Sequence, residues 1–340
     1  MRARELHERA IVLLAHDHTI TIDDFRADRR GGVTAKVVQA VVDARVFESR
    51  TAYESSLYSF EGFMRDAMTA YDRLLCTVDA HPSELLVVRT VGDIRSAKAS
   101  GKLGLILGSE GAKYLEGSIA ALHNFFRLGV RQVQLHWAIR NQLGTAQSDL
   151  DEPGLTEFGR EVISEMNQLG MVIDVSHSSP ASIVDALATT RKPIINSHTG
   201  SREFNPLSGQ LLWDDQIKAL AANGGVACIH FSSSVLIGRQ TGRRATVDDV
   251  LAHIEHVVKV GGIDSVALGP DFIPAGELGH NIRFNQRIPP EFWLWTQDLD
   301  NSTLLPNLTE ALVERGYSDH DILKILGGNL LRVLEDVLPD

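Results

Sequence analysis

The stretch Ile11-Val12-Leu13-Leu14-Ala15-His16-Asp17-His18 decides how the chain is read. A continuous apolar run predicts a buried strand, because parallel strands covered on both faces are hydrophobic throughout rather than alternating. The run ends in two histidines one residue apart. Residues i and i+2 of a strand share a side, so His16 and His18 can send two imidazoles into one space at the strand's C-terminal end. Imidazole is the commonest neutral nitrogen ligand for zinc-like metals. Taken alone, the pair reads equally well as polar loop residues. The metal reading gains weight because the pattern recurs along the chain.

Strand-like runs at 11–14, 33–42, 85–91, 103–107, 130–135, 171–175, 193–195, 226–231 and 265–268 alternate with helix-like segments. The helical segments are 55–80, 118–128, 156–169, 179–187, 214–222, 247–260, 304–315 and 318–334. Thr156 is an N-cap candidate, Gly170 a C-terminal stop, and Ser318-x-x-Asp321 has the form of a capping box. Repeated strand–helix alternation predicts an α/β protein with a parallel sheet inside and helices outside. About eight such units fit a single (β/α)8 TIM barrel spanning residues 1–340, with a doubly wound open sheet as the alternative. Residues 272–300 have no clear periodicity. They read as a long loop over a site, ordered by Phe292, Trp293 and Trp295.

The 340 residues are 44% hydrophobic and 23% charged, with a net charge of −11. That balance speaks against nucleic acid or an anionic membrane surface as partner. Cys76 and Cys228 are too few for a disulfide framework and read as reduced core residues. No stretch is long and apolar enough for a membrane span, and the charged start MRARELHERA does not read as a signal segment, so the expectation is cytoplasmic.

Five predicted strands end in a metal-ligand type: His16 and His18, Glu110, His177, His198 and Asp271. In an α/β barrel the C-terminal strand ends converge on one face. Each residue alone has an ordinary structural reading; together, four imidazoles and two carboxylates suit two divalent metals. Asp271 is the candidate proton acceptor from a metal-activated water. No nucleophile elbow, Cys/His pair or phosphate loop competes. His7, His81, His123, His253, His256, His280 and His320 read as surface or structural.

The segments Gly108-Ser109-Glu110-Gly111, Gly154-Leu155-Thr156-x-Phe158-Gly159, Asp174-x-Ser176-His177, Ser197-His198, Gly269-x-Asp271-Phe272 and Gly327-Gly328-Asn329 resemble the membrane (renal-type) dipeptidase family, peptidase family M19. The likeness runs through essentially the whole chain. It implies an amidohydrolase-type TIM barrel, two zinc ions per chain, a metal-bridging hydroxide that hydrolyses dipeptides, and a homodimer. It assigns His16, Glu110, His177 and His198 as zinc ligands, Glu110 as the bridging carboxylate, and Asp271 as the acid/base. Four positions depart from it. The usual His-x-Asp is His16-x-His18, and the substrate-contacting His or Tyr aligns with Trp137, leaving His136 one position early. The arginine that grips the dipeptide carboxylate aligns with Gln210, which cannot form a charged bidentate clamp. Ile273 stands where a second acidic residue is usual. Arg202 is the candidate replacement for the clamp. The altered recognition set admits a cyclic amide, lactone or ester as alternative substrate, and a metal-free binding homologue as a third reading.

Overall fold

The computed structural model describes residues 1–43, 61–137, 139–149, 153–273 and 295–340. Nine strands, all parallel to their neighbours, form two sheets among the described residues: β1 (Val12–Asp17), β2 (Val33–Val42), β4 (Leu103–Glu110) and β3 (Leu85–Val87) in that spatial order, then β5 (Gln132–Gln134), β6 (Val172–Asp174), β7 (Ile195–Thr199), β8 (Val226–Ile229) and β9 (Val266–Leu268). Backbone hydrogen bonds join the sheets at both seams. Leu107 of β4 bridges Val130 in parallel, and Arg131 N donates to Leu107 O (3.0 Å). On the opposite side Asp271 N donates to His16 O (3.2 Å) and His18 N to Phe272 O (2.9 Å). The result is a closed eight-membered ring, with β3 occupying the N-terminal half of the β4 edge that β5 uses further along.

One apolar cluster takes alternate residues from seven of the eight strands of this ring: Leu13 and Ala15, Ala35 and Val37, Ile106, Val172, Ile195, Val226 and Cys228, and Ala267. Residues from opposite strands can meet only inside a barrel. Leu330, Val333, Leu334 and Val337 of the helix Asn329–Val337 belong to the same cluster and plug it from one end. The outward residues pack against the surrounding helices in the larger cluster.

The helices start where the sequence supplies caps. Thr21 and Asp24 make a capping box ahead of Ile22–Arg30, Thr90 and Asp93 ahead of Val91–Ser100, and Thr246 and Asp249 ahead of Val247–Gly261. The Thr156 cap bonds Gly159 N, and Gly170 closes Glu157–Leu169 in the left-handed conformation, as predicted.

Several sequence expectations change. The run at 85–91 is only a three-residue strand, because Thr90 caps a helix over Val91–Ser100 that was not expected. The helices Arg2–Arg9 and Ile22–Arg30 were also not expected, their charge density masking the apolar face. The helix expected over 55–80 is present as Phe63–Ala80, and its start at Ser55-Ser56 falls outside the described residues. The terminal helix is interrupted by a π-helical turn, Lys324–Gly328. There a Cβ on Gly327 would lie 2.0 Å from Ile11 O, so close packing against the start of β1 sets the break. Cys228 is buried, but Cys76 is exposed on its helix, not in the core. Of the aromatics in the expected cover loop, Trp295 is buried and bridges Ser232, while Phe292 and Trp293 fall outside the described residues. No described helix is long and apolar enough to cross a membrane.

Candidate metal centre

The inward rows of the barrel wall lead to the site. Ile106, Gly108 and Glu110 form one row, and Ala267, Gly269 and Asp271 another, so strand alternation alone delivers both carboxylates. Gly269 is required by close approach: a Cβ there would lie 1.7 Å from Ser197 O. His16 and His198 are out of phase with their inward rows, Leu13/Ala15 and Ile195/Ser197. Both sit at breaks in strand register, between Leu14 and Asp17 and between Asn196 and Thr199. Such bulges re-aim side chains beside active sites. His177 and Asp271 have φ of 59°, a left-handed conformation that non-glycine residues hold only when surroundings enforce it.

Six predicted ligands converge. The Nε2 atoms of His16 and His18 lie 3.1 Å apart, and 3.4 and 3.2 Å respectively from Asp271 Oδ1. The Nε2 atoms of His177 and His198 lie 2.9 Å apart, and 3.1 and 3.6 Å from Glu110 Oε1. Glu110 presents its other oxygen, Oε2, to His18 at 3.4 Å. Glu110 therefore lies between the two sets, with Oε2 toward His18 and Oε1 toward His177 and His198 and also 3.7 Å from His16 Nε2. A zinc ion with nitrogen and oxygen ligands at 2.0–2.1 Å sets tetrahedral ligand–ligand edges of about 3.3 Å, and the observed separations scatter around that value.

The hydrogen-bond directions also fit a cation. Ser197 Oγ lies 3.2 Å from His16 Nδ1 and 3.0 Å from His198 Nδ1, and can accept from both. Its own proton can go to Ser176 Oγ (3.1 Å), and Ser176 Oγ donates to Asn196 Oδ1 (2.8 Å). With both Nδ1 atoms protonated, both Nε2 lone pairs point into the site, the usual backing of metal-ligating histidine. The Gln39 amide, 3.0 Å from His16 Nδ1, fits this tautomer when turned so that its oxygen, otherwise unpartnered among the described residues, faces the ring. Asp271 Oδ1 is buried and makes no hydrogen bond among the described residues. Burial and the neighbouring imidazoles push the His198 ring well down, so it is neutral. Burial alone would raise the Asp271 carboxyl, but the imidazoles facing it hold it well below the usual carboxylate range. Burial alone would lower His18, yet Asp271 and Glu110 outweigh it and hold the ring at about 9. A proton there takes the place that a cation would claim, since metal and proton compete for the same lone pair.

The remaining predicted residues take different places. A small cleft opens beside His177, lined by Gln147, Asn196, Arg202, Gln210 and Gln216 among others. Gln210 Nε2 is 3.2 Å from His177 Nε2. Arg202 lies in the cleft wall, its Nε donating to Pro206 O (3.0 Å) and its guanidinium 4.7 Å from the Trp213 ring. His136 is fully buried, its Nδ1 against Ser178 Oγ (2.9 Å) and its Nε2 without a hydrogen-bond partner among the described residues. Burial pushes that ring down to about 3, so it stays neutral. Half-buried Trp137 lies outside the cleft lining.

One neighbour was missed by sequence reasoning. His230 Nε2 is 3.1 Å from Asp271 Oδ2. The run 226–231 was read as strand throughout, but β8 ends at Ile229 and His230 follows it. The signal was available: His230 continues the inward row of Val226 and Cys228.

The profile described as membrane dipeptidase, peptidase family M19, matches residues 6–286 and 292–338. An uncharacterised dipeptidase of Schizosaccharomyces pombe is 31% identical over 315 residues, covering 88% of this chain and 70% of that one. The chain belongs to the membrane dipeptidase family. It spans between 52% and 70% of the length of the curated relatives it matches. Among solved structures, an amidohydrolase from Pseudomonas aeruginosa superposes with a TM-score of 0.88 at 25% identity, covering 99% of each chain. A metallopeptidase from Rhodobacter sphaeroides, solved with a phosphinate mimic of the dipeptide L-Ala-D-Ala, shares the fold with a TM-score of 0.82 at 22% identity, over 96% of this chain and 99% of that one. The geometry brings His18 to the same cluster as His16.

Proposed function

We propose that the protein is a zinc-dependent hydrolase of the renal dipeptidase type, with two zinc ions per chain, cleaving the amide bond of a dipeptide or dipeptide-like small molecule. The observation that carries this reading is the pair of ligand sets sharing Glu110, with Nε2 atoms and an unbonded Asp271 Oδ1 aimed inward. His16, His18 and Asp271 would hold one cation, His177 and His198 the other, and Glu110 would bridge them. Bound divalent cations polarise the scissile carbonyl and bring the pKa of a water to about 7. Asp271 would accept a proton from the attacking water and return it to the leaving amine, a general acid–base role. His136, buried and neutral with Nε2 unpartnered, is a candidate hydrogen-bonding group beside the His177 turn, and Trp137 a candidate substrate wall.

A second reading keeps the metal centre and changes the bond. The cleft beside His177 offers the amides of Gln147, Gln210 and Gln216, while its arginine is engaged with Pro206 O and Trp213. Such a wall suits a neutral polar group better than a free carboxylate, which favours a cyclic amide, lactone or ester. If Arg202 swings from Pro206, it restores a carboxylate partner and the dipeptide reading stands.

The whole chain is read as one catalytic domain. Family resemblance supports a homodimer, and two unpaired cysteines accord with a reducing, cytoplasmic setting. The deciding experiment measures zinc per chain and turnover of L,L- and L,D-dipeptides before and after chelation. Two zinc ions with chelator-sensitive cleavage are expected. Two metals with no dipeptide cleavage would direct the search to the other bonds, and a metal-free, inactive protein would overturn the hydrolase reading.

A further inference from the structure

We infer that His230 is a positioning residue for the metal centre: it donates a hydrogen bond that holds Asp271 with Oδ1 turned toward the cation held by His16 and His18. The inference rests on the metal-centre reading above. The imidazole orientation is set by the backbone, since the Ser232 N–H donates to His230 Nδ1 at 2.9 Å. A neutral ring that accepts at Nδ1 carries its proton at Nε2. The nitrogen that carries it lies 3.1 Å from Asp271 Oδ2, within hydrogen-bond reach. His230 is therefore not arranged as a further ligand, because its Nε2 lone pair is taken up by the proton. It occupies one carboxylate oxygen and leaves the other, Oδ1, at 3.4 and 3.2 Å from the Nε2 atoms of His16 and His18.

Asp271 needs such support. Its φ of 59° is a conformation the chain does not hold without help. The main chain is fixed on both sides, by Asp271 N to His16 O (3.2 Å) and by Trp295 Nε1 to Asp271 O (3.1 Å). Those bonds fix where the residue sits but not which carboxylate oxygen faces the cluster. His230, buried and packed 5.7 Å ring to ring from His198, makes that choice. Its position in the inward row after Val226 and Cys228 makes the contact a property of the barrel wall rather than of a loop.

The test compares metal-depleted wild type with His230→Gln, which retains an N–H donor near the Nε2 position, and His230→Phe, which fills the space without a donor. Cobalt(II) titration followed by visible absorption reads binding without any substrate, and far-UV circular dichroism confirms that each chain is folded. The phenylalanine variant is expected to lose about 10–100-fold in affinity for one of two cobalt ions, with kcat reduced and KM unchanged. The glutamine variant is expected to lie within a few-fold of wild type and to keep its pH profile. Wild-type affinity in the phenylalanine variant, or a glutamine variant as weak as phenylalanine, overturns the inference while leaving the metal centre standing. Wild-type protein that takes up no cobalt overturns the metal-centre reading, and this one with it.

Discussion

Two buried charged clusters lie side by side at the end of β1, and they differ in one respect. Lys36 is fully buried, and its Nζ donates to Asp17 Oδ1 (2.9 Å), Thr19 O (2.7 Å) and Thr19 Oγ1 (2.6 Å), with Asp28 Oδ2 also at 2.7 Å. Every ammonium proton has an acceptor. Next to it, the cluster around Glu110 packs ring nitrogens and carboxylates against one another: imidazole nitrogens 2.9 and 3.1 Å apart and, among the described residues, a carboxylate oxygen without a hydrogen bond. The first cluster carries its own cation. In the second, His16, His18 and Asp271, and His16, Glu110 and His198, bring ligand atoms together that could hold one. Both clusters keep a carboxylate oxygen without a hydrogen bond among the described residues, Asp17 Oδ2 in the first and Asp271 Oδ1 in the second. What marks the second as a candidate site is therefore imidazoles and carboxylates converging on one point.

Breaking each cluster should give opposite signatures. The largest expected effect is on catalysis: Glu110→Gln should lower kcat/KM by at least about a thousandfold, roughly 4 kcal/mol in barrier height, because one side chain serves both ligand sets. Its metal content by atomic emission should fall as well, and a variant retaining both metal and activity would refute the shared-ligand geometry. Lys36→Met should instead act on folding, destabilising the metal-free protein by about 3–5 kcal/mol in urea titration, because Asp17 and Asp28 are left buried without a counter-charge. A neutral result would mean that the Lys36 cluster relaxes or hydrates and that the contrast is smaller than drawn.

Smaller effects sharpen the comparison. Ser197→Ala removes the hydroxyl backing both His16 and His198, so affinity should fall about tenfold at both metals, measurable as two weakened steps in a cobalt titration. Loss at one step only would show that Ser197 backs a single histidine. A pH-dependent effect concerns His253, whose Nδ1 accepts from Ser201 N while its Nε2 donates to Leu236 O, holding the segment that carries Arg202 and Gln210. Burial pushes this ring down to about 4. The unfolded chain takes up a proton below about pH 6.5 that the folded chain refuses until about pH 4, so stability is complete above that window and declines as pH falls through it. The contribution is at most about 1.4 kcal/mol per pH unit, and His253→Gln should flatten the urea-midpoint profile between pH 6.5 and 4.

The sequence by itself determined the alternation of strands and helices, and with it a parallel sheet covered by helices; closure into a barrel rather than an open sheet was decided by the contacts at the two seams. Continuous apolar runs such as Val12–Leu14 and Leu103–Leu107 can satisfy themselves only when covered on both faces. It also determined the ligand inventory, because Glu110, His177, His198 and Asp271 each stand at or just past a strand end, where barrel topology gathers them. The charged helices Arg2–Arg9 and Ile22–Arg30 were illegible because their apolar faces are narrow, with only Leu6 and Phe25 among their hydrophobic residues fully buried.

Tertiary structure alone decided the aim of the side chains. Strict alternation would turn His16 and His198 away from the barrel interior, and register breaks against β2 and β8 return them to it. It likewise chose Asp17 for Lys36 and His18 for the metal cluster, although the two are neighbours in sequence. His230 became a partner of Asp271 only once β8 ended at Ile229 and the Ser232 amide fixed its ring. These choices depend on which backbone groups of neighbouring strands lie within hydrogen-bond reach, and residue type and spacing do not encode that one residue at a time.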